Sequence, residues 1–251
     1  MSKKYLILFT LTVFYHPAMA AFENFVLQSY LHPSDVTETR QPYLFCGSLN
    51  FPSFTYLNQY ELGFQIPVGE TKFGGTLYTS GDRLYRESMA RFYAAWGQIS
   101  ALNYSLKLSV YHVRVEGYGS SSVASAGLVS RLKPFDDIIL TLDYDNLVFF
   151  SSSAIREDIP RRGLVTIESR PVENQTVIYR LEKEIPHPIN HQIYWKSALR
   201  PTLHVLGGFT SAPRSFILGG QIEKRRVHIS VGMIYHPILM TSVSVRLTYL
   251  L

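Results

Sequence analysis

Charged residues in this sequence of 251 residues repeatedly alternate with apolar ones, a spacing that puts side chains of one chemistry on one face of a β-strand. Asp143 and Asp145 are two residues apart and would share such a face, as a carboxylate pair in acid–base catalysis would. We favour a structural role, in which they pair with Arg131, because buried charges are costly unless they are paired or solvated.

Five charged residues on the polar faces of predicted strands are the candidates for lining the interior of a barrel. Charges inside a barrel need solvent or a partner, so such positions either contact a solute or pair with one another. Both interpretations stay open from the sequence. The candidates are Arg131, Asp143, Arg180, Glu182 and Glu223.

Serine and histidine residues on polar faces raise the alternative of a hydrolase, since barrel enzymes carry such residues at the rim. The histidines concerned are His112, His204 and His228. No Gly-x-Ser-x-Gly nucleophile motif occurs, and chance pairing of serine with histidine is expected among many polar residues. We therefore predict that the protein is not an enzyme.

Metal and cofactor sites are not indicated. His187 and His191 have a helical metal-ligand spacing, but Pro186 and Pro188 prevent the helix, so a solvated loop is the better interpretation. The single cysteine, Cys46, forms neither an internal disulfide nor a cysteine cluster for zinc. No phosphate-binding loop is present, and we expect no cofactor and no metal.

The amino-terminal residues have the pattern of an export signal. Residues 1–20 contain Lys3 and Lys4, then an apolar stretch, then the small-x-small motif Ala18-Met19-Ala20. We predict a cleaved signal peptide over 1–20, followed by an irregular segment over 21–41 that acts as a plug, a cap or an arm. The net charge of +5 comes from dispersed residues, so nucleic acid is not an expected partner.

Alternation recurs from residue 42 to residue 251 in segments close to ten residues long, separated by glycine and proline turns. This predicts an all-β, antiparallel transmembrane barrel over 42–251 with about 14 strands, or about 12 as the alternative. A shift of the apolar phase between Val110 and Tyr111 predicts a β-bulge there. The region 148–162, rich in serine and charge, is predicted to be a long loop.

The direction of the apolar faces is the point that alternation leaves open. Strands of about nine to eleven residues cross a bilayer obliquely, and the apolar faces carry almost no charge, which favours a barrel in the outer membrane of a Gram-negative cell. The last residues, TSVSVRLTYLL, alternate to the end, as a strand that closes a barrel would. An exported soluble β-sandwich is the less favoured alternative.

The chain from about Gly119 onward resembles the outer-membrane barrels related to the long-chain fatty acid transporters (FadL-like) and to the PorV and PorQ proteins of secretion systems. The resemblance is carried by Gly127-Leu128, Asn146-Leu147, the set Pro160, Gly163 and Pro171, the glycine hairpin Gly207, Gly208, Gly219 and Gly220, and His236-Pro237. The resemblance implies a barrel of about 14 strands, which agrees with the separate count of alternating segments.

The resemblance also implies two functions. In the first, the barrel passes or binds a hydrophobic or small amphipathic solute. In the second, it does not transport, and its loops anchor secretion or surface proteins at the cell surface. Outer-membrane lipid is the expected surrounding in both cases, and the outer membrane is the expected location.

Overall fold

The structure, a computed structural model, describes residues 41–54, 57–99, 102–151, 161–185, 187–212, 214–237 and 240–251. The predicted signal peptide, residues 1–20, and nearly all of the predicted irregular segment 21–41 lie outside these ranges and stay predictions. Among the described residues, no helix is long and apolar enough to cross a bilayer.

Fourteen strands pair antiparallel with their sequence neighbours, and the first pairs with the last, which closes the sheet into a barrel. The predicted all-β barrel is thereby confirmed with fourteen strands, and the alternatives of twelve strands and of a β-sandwich are wrong. The strands are β1 (Tyr43–Asn50), β2 (Gln59–Val68), β3 (Thr71–Gly81), β4 (Tyr85–Ile99), β5 (Leu102–Val115), β6 (Gly119–Phe135), β7 (Ile138–Ser151), β8 (Arg162–Val172), β9 (Gln175–Glu184), β10 (Asn190–Arg200), β11 (Leu203–Ser211), β12 (Arg214–Lys224), β13 (Val227–His236) and β14 (Met240–Leu250).

The two faces of the sheet are inverted relative to a soluble domain. Outward side chains are mostly apolar, and Leu218 on β12 is 61% exposed. Inward side chains include many charged and amide groups, among which Lys107 on β5 is 1% exposed and Arg246 on β14 is 2% exposed. The alternation seen in the sequence therefore separates an apolar exterior from a largely polar interior.

The two ends of the barrel differ in their connections. At one end, which holds Tyr43 and Leu250, the strands are joined by two-residue turns such as Gly69-Glu70 and Arg225-Arg226; we call it the tight-turn end. The opposite, loop end carries the connections over 51–58, 82–84, 116–118, 152–161, 185–189, 212–213 and 237–239. Outer-membrane barrels have this asymmetry, with short turns on the periplasmic side.

The predicted bulge in β5 is wrong. From Tyr104 to Val115, β5 pairs in continuous register with both β4 and β6. Tyr111 and Val113 face inward, whereas His112 and Arg114 face outward and are exposed. The apolar phase changes because the strand leaves the apolar belt near the loop end, where the outward face becomes polar.

The predicted loop over 148–162 is also too long. β7 continues to Ser151, and Arg162 already belongs to β8; residues 152–160 lie outside the described ranges. Phe149 pairs with Ser125 and Phe150 with Ala124, so the pairing of β6 with β7 continues beyond the nine to eleven residues that a strand needs to cross a bilayer. The sequence pattern places Phe149 and Phe150 in a loop because the adjacent serines dominate the local composition.

The closing register can be tested with the one cysteine of the chain. Cys46 on β1 lies opposite Leu247 on β14, and both face outward. Opposed Cα atoms in an antiparallel pair are about 4.5–5.5 Å apart, within the range that a disulfide spans. We expect the Leu247→Cys variant to form an internal disulfide on mild oxidation, detected as a reducible mobility change in a denaturing gel.

Thr248→Cys is the matched control, because Thr248 lies one residue further along β14 and faces the interior. It should remain uncrosslinked under the same conditions. Equal crosslinking of the two variants would contradict the register of the closing strands.

Candidate functional site: the barrel interior

The interior carries as many acidic as basic side chains, so its net charge is small. By strand register and burial, the inward acidic residues are Glu61, Glu87, Asp143, Asp145, Glu168, Glu182, Glu184 and Glu223, and the inward basic ones are Lys72, Arg91, Lys107, Arg131, Arg162, Arg180, Lys196 and Arg246. Such a mixture can pair across the interior.

A continuous set of ion pairs, the ionic network, joins five strands from β4 to β9. It consists of Arg91, Lys107, Asp143, Asp145, Arg162 and Glu182. The Lys107 ammonium contacts both aspartates, which are two residues apart on β7. The Arg162 guanidinium donates to Asp145 at 3.3 Å and to Glu182 at 2.6 Å, so it joins the two acidic sites. The predicted carboxylate pair thus has lysine and arginine partners.

The ionic network depends on a β-bulge between β6 and β7. The register shifts between Ala126 and Leu128, and Asn146 has a left-handed backbone with φ of 59°. As a result, Asp145 and Asn146 are both buried although they are consecutive. A bulge redirects side chains in this way. The Asn146 side-chain oxygen accepts hydrogen bonds from Ser125 Oγ at 2.7 Å and from the Tyr111 hydroxyl at 3.2 Å.

A second ion pair crosses the seam at which the barrel closes. Arg246 on β14 donates to Glu61 on β2 at 2.5 Å and so reaches over the strand between them, β1. Gly47 on β1 makes room, because a Cβ there would lie 2.7 Å from the Glu61 carboxylate oxygen. The Arg246 guanidinium also lies 4.9 Å from the centre of the Phe45 ring.

Apolar side chains occupy another part of the interior, and we call them the apolar cluster. Its members are Leu49, Phe51, Ile178, Tyr194, Leu206, Ile217 and Ile234. They come from the end of β1 and from the inner faces of β9 to β13. Phe54 and Leu57, in the connection from β1 to β2, pack against them. The connection therefore folds toward the barrel interior at the loop end.

Hydrogen bonds hold this connection in a compact turn. The Phe54 amide donates to the Phe51 carbonyl at 3.0 Å, and the Leu57 amide donates to the Phe54 carbonyl at 2.8 Å. The Phe51 amide donates to the Asn58 side-chain oxygen at 2.8 Å. Sequence analysis missed this element. Its signal was the apolar content of FPSFTYL, which is high for a connection between strands.

Tyr194 links the apolar cluster to the ionic network. Its ring is fully buried in the cluster, and its hydroxyl donates to the Gln192 side-chain oxygen at 2.6 Å. Gln192 in turn donates to Glu182 at 2.8 Å, and the Arg180 guanidinium lies 5.4 Å from the Tyr194 ring centre. An apolar surface and a charged surface thus meet at one side chain.

The sequence-predicted interior residues fall in two places. Arg131, Asp143, Arg180 and Glu182 are buried and face inward, on three strands, β6, β7 and β9, of the charged side. Glu223 is only half-buried, faces inward near the tight-turn end, and contacts His204 at 3.4 Å. Their action on a solute stays a prediction. The alternation did not single out Arg162 and Glu61, which form close ion pairs with Glu182 and Arg246.

Of the histidines named as alternatives for catalysis, His112 lies apart from His204 and His228. His112 faces outward and its Nδ1 lies 2.8 Å from Ser122 Oγ. His204 and His228 face inward near the tight-turn end. In the part of the chain that the structure describes, no group of three histidine, cysteine or acidic residues could hold a metal ion.

Solved structures with a similar fold include a toluene transporter and a monoaromatic hydrocarbon channel. The toluene transporter TodX of P. putida superposes with a TM-score of 0.65 and 9% identity, over 87% of this chain and 92% of that chain. The monoaromatic hydrocarbon channel CymD gives a TM-score of 0.62 and 11% identity, over 90% and 93%. Neither a protein-family model nor a curated protein matches the sequence.

At such identities the likeness shows the fold alone. It agrees with the expected class of barrel, and it does not single out the long-chain fatty acid transporters or the PorV and PorQ proteins, to which the sequence was compared.

The seam ion pair should couple strongly in a double-mutant cycle. Arg246→Gln leaves the buried Glu61 carboxylate without its arginine partner, and breaking a buried pair costs about 3–5 kcal/mol. We expect Arg246→Gln to lower the free energy of unfolding, measured by urea titration in lipid vesicles, and the double variant Arg246→Gln/Glu61→Gln to recover most of the loss. Additive effects would contradict the pairing. Lys133→Gln, at an exposed ion pair with Asp136, is the control and should change little.

The bulge should be intolerant of any side chain at Gly127. A Cβ there would lie 2.5 Å from the Tyr144 carbonyl oxygen and 3.1 Å from Lys107 Cε. Gly127→Ala should therefore destabilise the barrel by about 1–3 kcal/mol, the usual cost of overpacking, and lower its thermal unfolding temperature. Gly163→Ala is the control, since its Cβ would make an ordinary contact of 3.5 Å with Tyr144. Equal effects of both substitutions would argue against the tight bulge.

Proposed function

We propose that this protein is an outer-membrane β-barrel that passes or binds a hydrophobic or small amphipathic solute. The closed sheet and the apolar exterior support its residence in a bilayer, because strands can cross lipid only when all their backbone groups are paired. The fold is that of the TodX and CymD channels, which are named for aromatic hydrocarbons.

The observation that carries this proposal is the apolar cluster inside a largely polar barrel. Apolar side chains in a water-filled interior would lose about 1.5–3 kcal/mol each relative to full burial. Here the side chains of Phe54 and Leu57 pack against the cluster in the place that water would take. A solute with an apolar body can take the place of these side chains, because it offers the cluster the same contacts.

The position of the cluster suggests the side of entry. Phe51, Phe54 and Leu57 belong to the connection at the loop end, and the loop end faces the outside of the cell if short turns face the periplasm. A solute then enters from outside, displaces this connection and contacts Tyr194, where an amphipathic molecule finds both apolar and polar partners.

Transport is better supported than catalysis. The contact between His112 and Ser122 is outward and exposed, and a reactive serine also needs a group that orients the imidazole. Among the residues that the structure describes, no carboxylate is bonded to His112. We accordingly assign no catalytic residue and no cofactor.

A second function, a non-transporting barrel that anchors partner proteins through its loops, has one observation in its favour. The ionic network joins β4 to β9 by ion pairs within the interior, and paired charges of this kind obstruct and rigidify a lumen. If the barrel has no passage, its function depends on the loop end.

Uptake of an apolar probe separates the two functions. We expect cells that carry this protein in the outer membrane to take up N-phenyl-1-naphthylamine faster than cells without it, followed by the fluorescence rise of the probe. The double variant Phe54→Ala/Leu57→Ala should raise the rate severalfold, because the apolar cluster loses its cover.

Phe92→Ala/Leu108→Ala is the matched control. It removes one phenylalanine and one leucine that lie opposite each other on the outward face. It should leave uptake at the rate of the unmodified protein. If neither the unmodified protein nor the first variant exceeds cells without the barrel, the transport proposal fails and the anchoring function is favoured.

A further inference from the structure

A groove on the outer surface lies at the tight-turn end, away from the interior site. It has a volume of about 780 Å³ and is lined by Ile222, Lys224, Arg225, Arg226, Val227 and Ile229. These residues form the last rungs of the hairpin between β12 and β13 and its two-residue turn. The groove therefore combines an apolar part with three positive charges.

The three cations have no acidic partner among the described residues. In the described part of the chain, Lys224, Arg225 and Arg226 take part in no ion pair. The adjacent carboxylate, Glu223, faces inward, where it accepts a hydrogen bond from Gln221 at 2.7 Å. The positive charge of the turn is thus available to an external anion.

The backbone of the turn is strained at one of these residues. Arg225 has φ of 53°, a left-handed conformation that favours glycine or asparagine. A side chain in such a conformation costs of order 1 kcal/mol, and strain of this kind is concentrated at functional sites. An arginine at this position directs a long cationic side chain from the end of the hairpin.

The apolar part of the groove faces the bilayer. Ile222 on β12 and Ile229 on β13 lie opposite each other, point outward, and are 55% and 42% exposed. They are two rungs further from the tight-turn end than Lys224 and Val227. Apolar surface and cations are thus stacked along the barrel axis in the order in which a phospholipid presents its acyl chains and its phosphate.

The charge of the tight-turn end is unevenly distributed around the barrel. The neighbouring hairpin of β10 and β11 adds Arg200 near its turn. Acidic residues are found in the turns of three other hairpins, namely Glu70, Asp136, Asp137 and Glu173, and Asp136 is paired with Lys133. Unpaired positive charge is therefore concentrated in the sector of β10 to β13, which attracts an anion.

We propose that this groove binds an anionic phospholipid of the leaflet that the tight-turn end meets. The phosphate contacts Lys224, Arg225 and Arg226, and the acyl chains lie along Ile222, Val227 and Ile229. An acidic protein segment would use the cations but not the outward isoleucines below them. The inference rests on the proposed residence of the barrel in a membrane, and is independent of whether the barrel transports a solute.

The test compares two lipids of identical acyl chains, phosphatidylglycerol and phosphatidylcholine, by native mass spectrometry of the full mature protein in detergent. Clustered Lys and Arg residues near a membrane surface each contribute roughly a severalfold preference for anionic lipid. We expect phosphatidylglycerol to bind about tenfold or more tightly than phosphatidylcholine. The preference should decrease at high salt, because ions screen exposed charges. Equal binding of the two lipids would overturn the proposal.

The triple variant Lys224→Gln/Arg225→Gln/Arg226→Gln should lose the preference. The control Arg83→Gln/Arg86→Gln/Arg114→Gln removes three cations at the loop end and should keep it. Loss in both variants, or in neither, would contradict a specific groove and indicate at most a general effect of net charge.

Arg225→Gly keeps the proposal falsifiable if the triple variant does not fold. Glycine is suited to the left-handed backbone at this position, so the variant should unfold at the same or a higher temperature and yet bind phosphatidylglycerol less tightly. Unchanged lipid binding in a folded Arg225→Gly protein, with no effect of salt on the unmodified protein, would exclude the site.

Membrane residence is measured separately. Cell fractionation and faster gel migration without boiling report a closed barrel in the outer membrane, whatever lipid it binds. A barrel in the outer membrane with no phosphatidylglycerol preference overturns only the lipid site, whereas a protein in the soluble periplasmic fraction overturns the proposed function as well.

Discussion

The pairing of β1 with β14 is the constraint on which the rest of the structure depends. It leaves no unpaired strand edge, so that every strand can lie with one face in an apolar medium. The seam is also fastened by side chains, because Arg246 reaches Glu61 over Gly47. Without closure, the same alternating strands would have to bury their apolar faces against a second sheet. The inward charges would then have no enclosed interior in which to form ion pairs.

Closure places opposite charges within reach across strands that are distant in the sequence. The ionic network consists of such pairs on one side of the interior. The apolar cluster, which includes Phe51, occupies the other side. Tyr194 belongs to the cluster through its ring, and its hydroxyl is linked to Glu182 of the network through Gln192. An interior of this kind is neither a uniformly polar pore nor a soluble core, and it suits a solute with both apolar and polar parts.

The two ends of the barrel have different chemistry. At the loop end, the connection that contains Phe54 turns inward and covers apolar surface. At the tight-turn end, the hairpin of β12 and β13 presents cations and outward isoleucines to its surroundings. The first feature concerns what enters the barrel, and the second concerns the lipid around it. The two features belong to the same sheet, but substitutions can change one of them without changing the other.

The sequence by itself determined the all-β class, a strand count of about 14 or 12, and the position of Asp143 and Glu182 on the polar faces of their strands, because alternation is a local property with a period of two residues. It did not determine which way the apolar faces point, since a sandwich and a barrel share that period. The bulge was predicted at Tyr111 but occurs at Gly127 and Asn146, where three residues of β7 lie opposite one residue of β6 and only the pairing of the two strands reveals the mismatch. Partners such as Glu61 and Arg246, 185 residues apart, and the packing of Phe54 were decided by the tertiary structure, because they exist only once the sheet has closed.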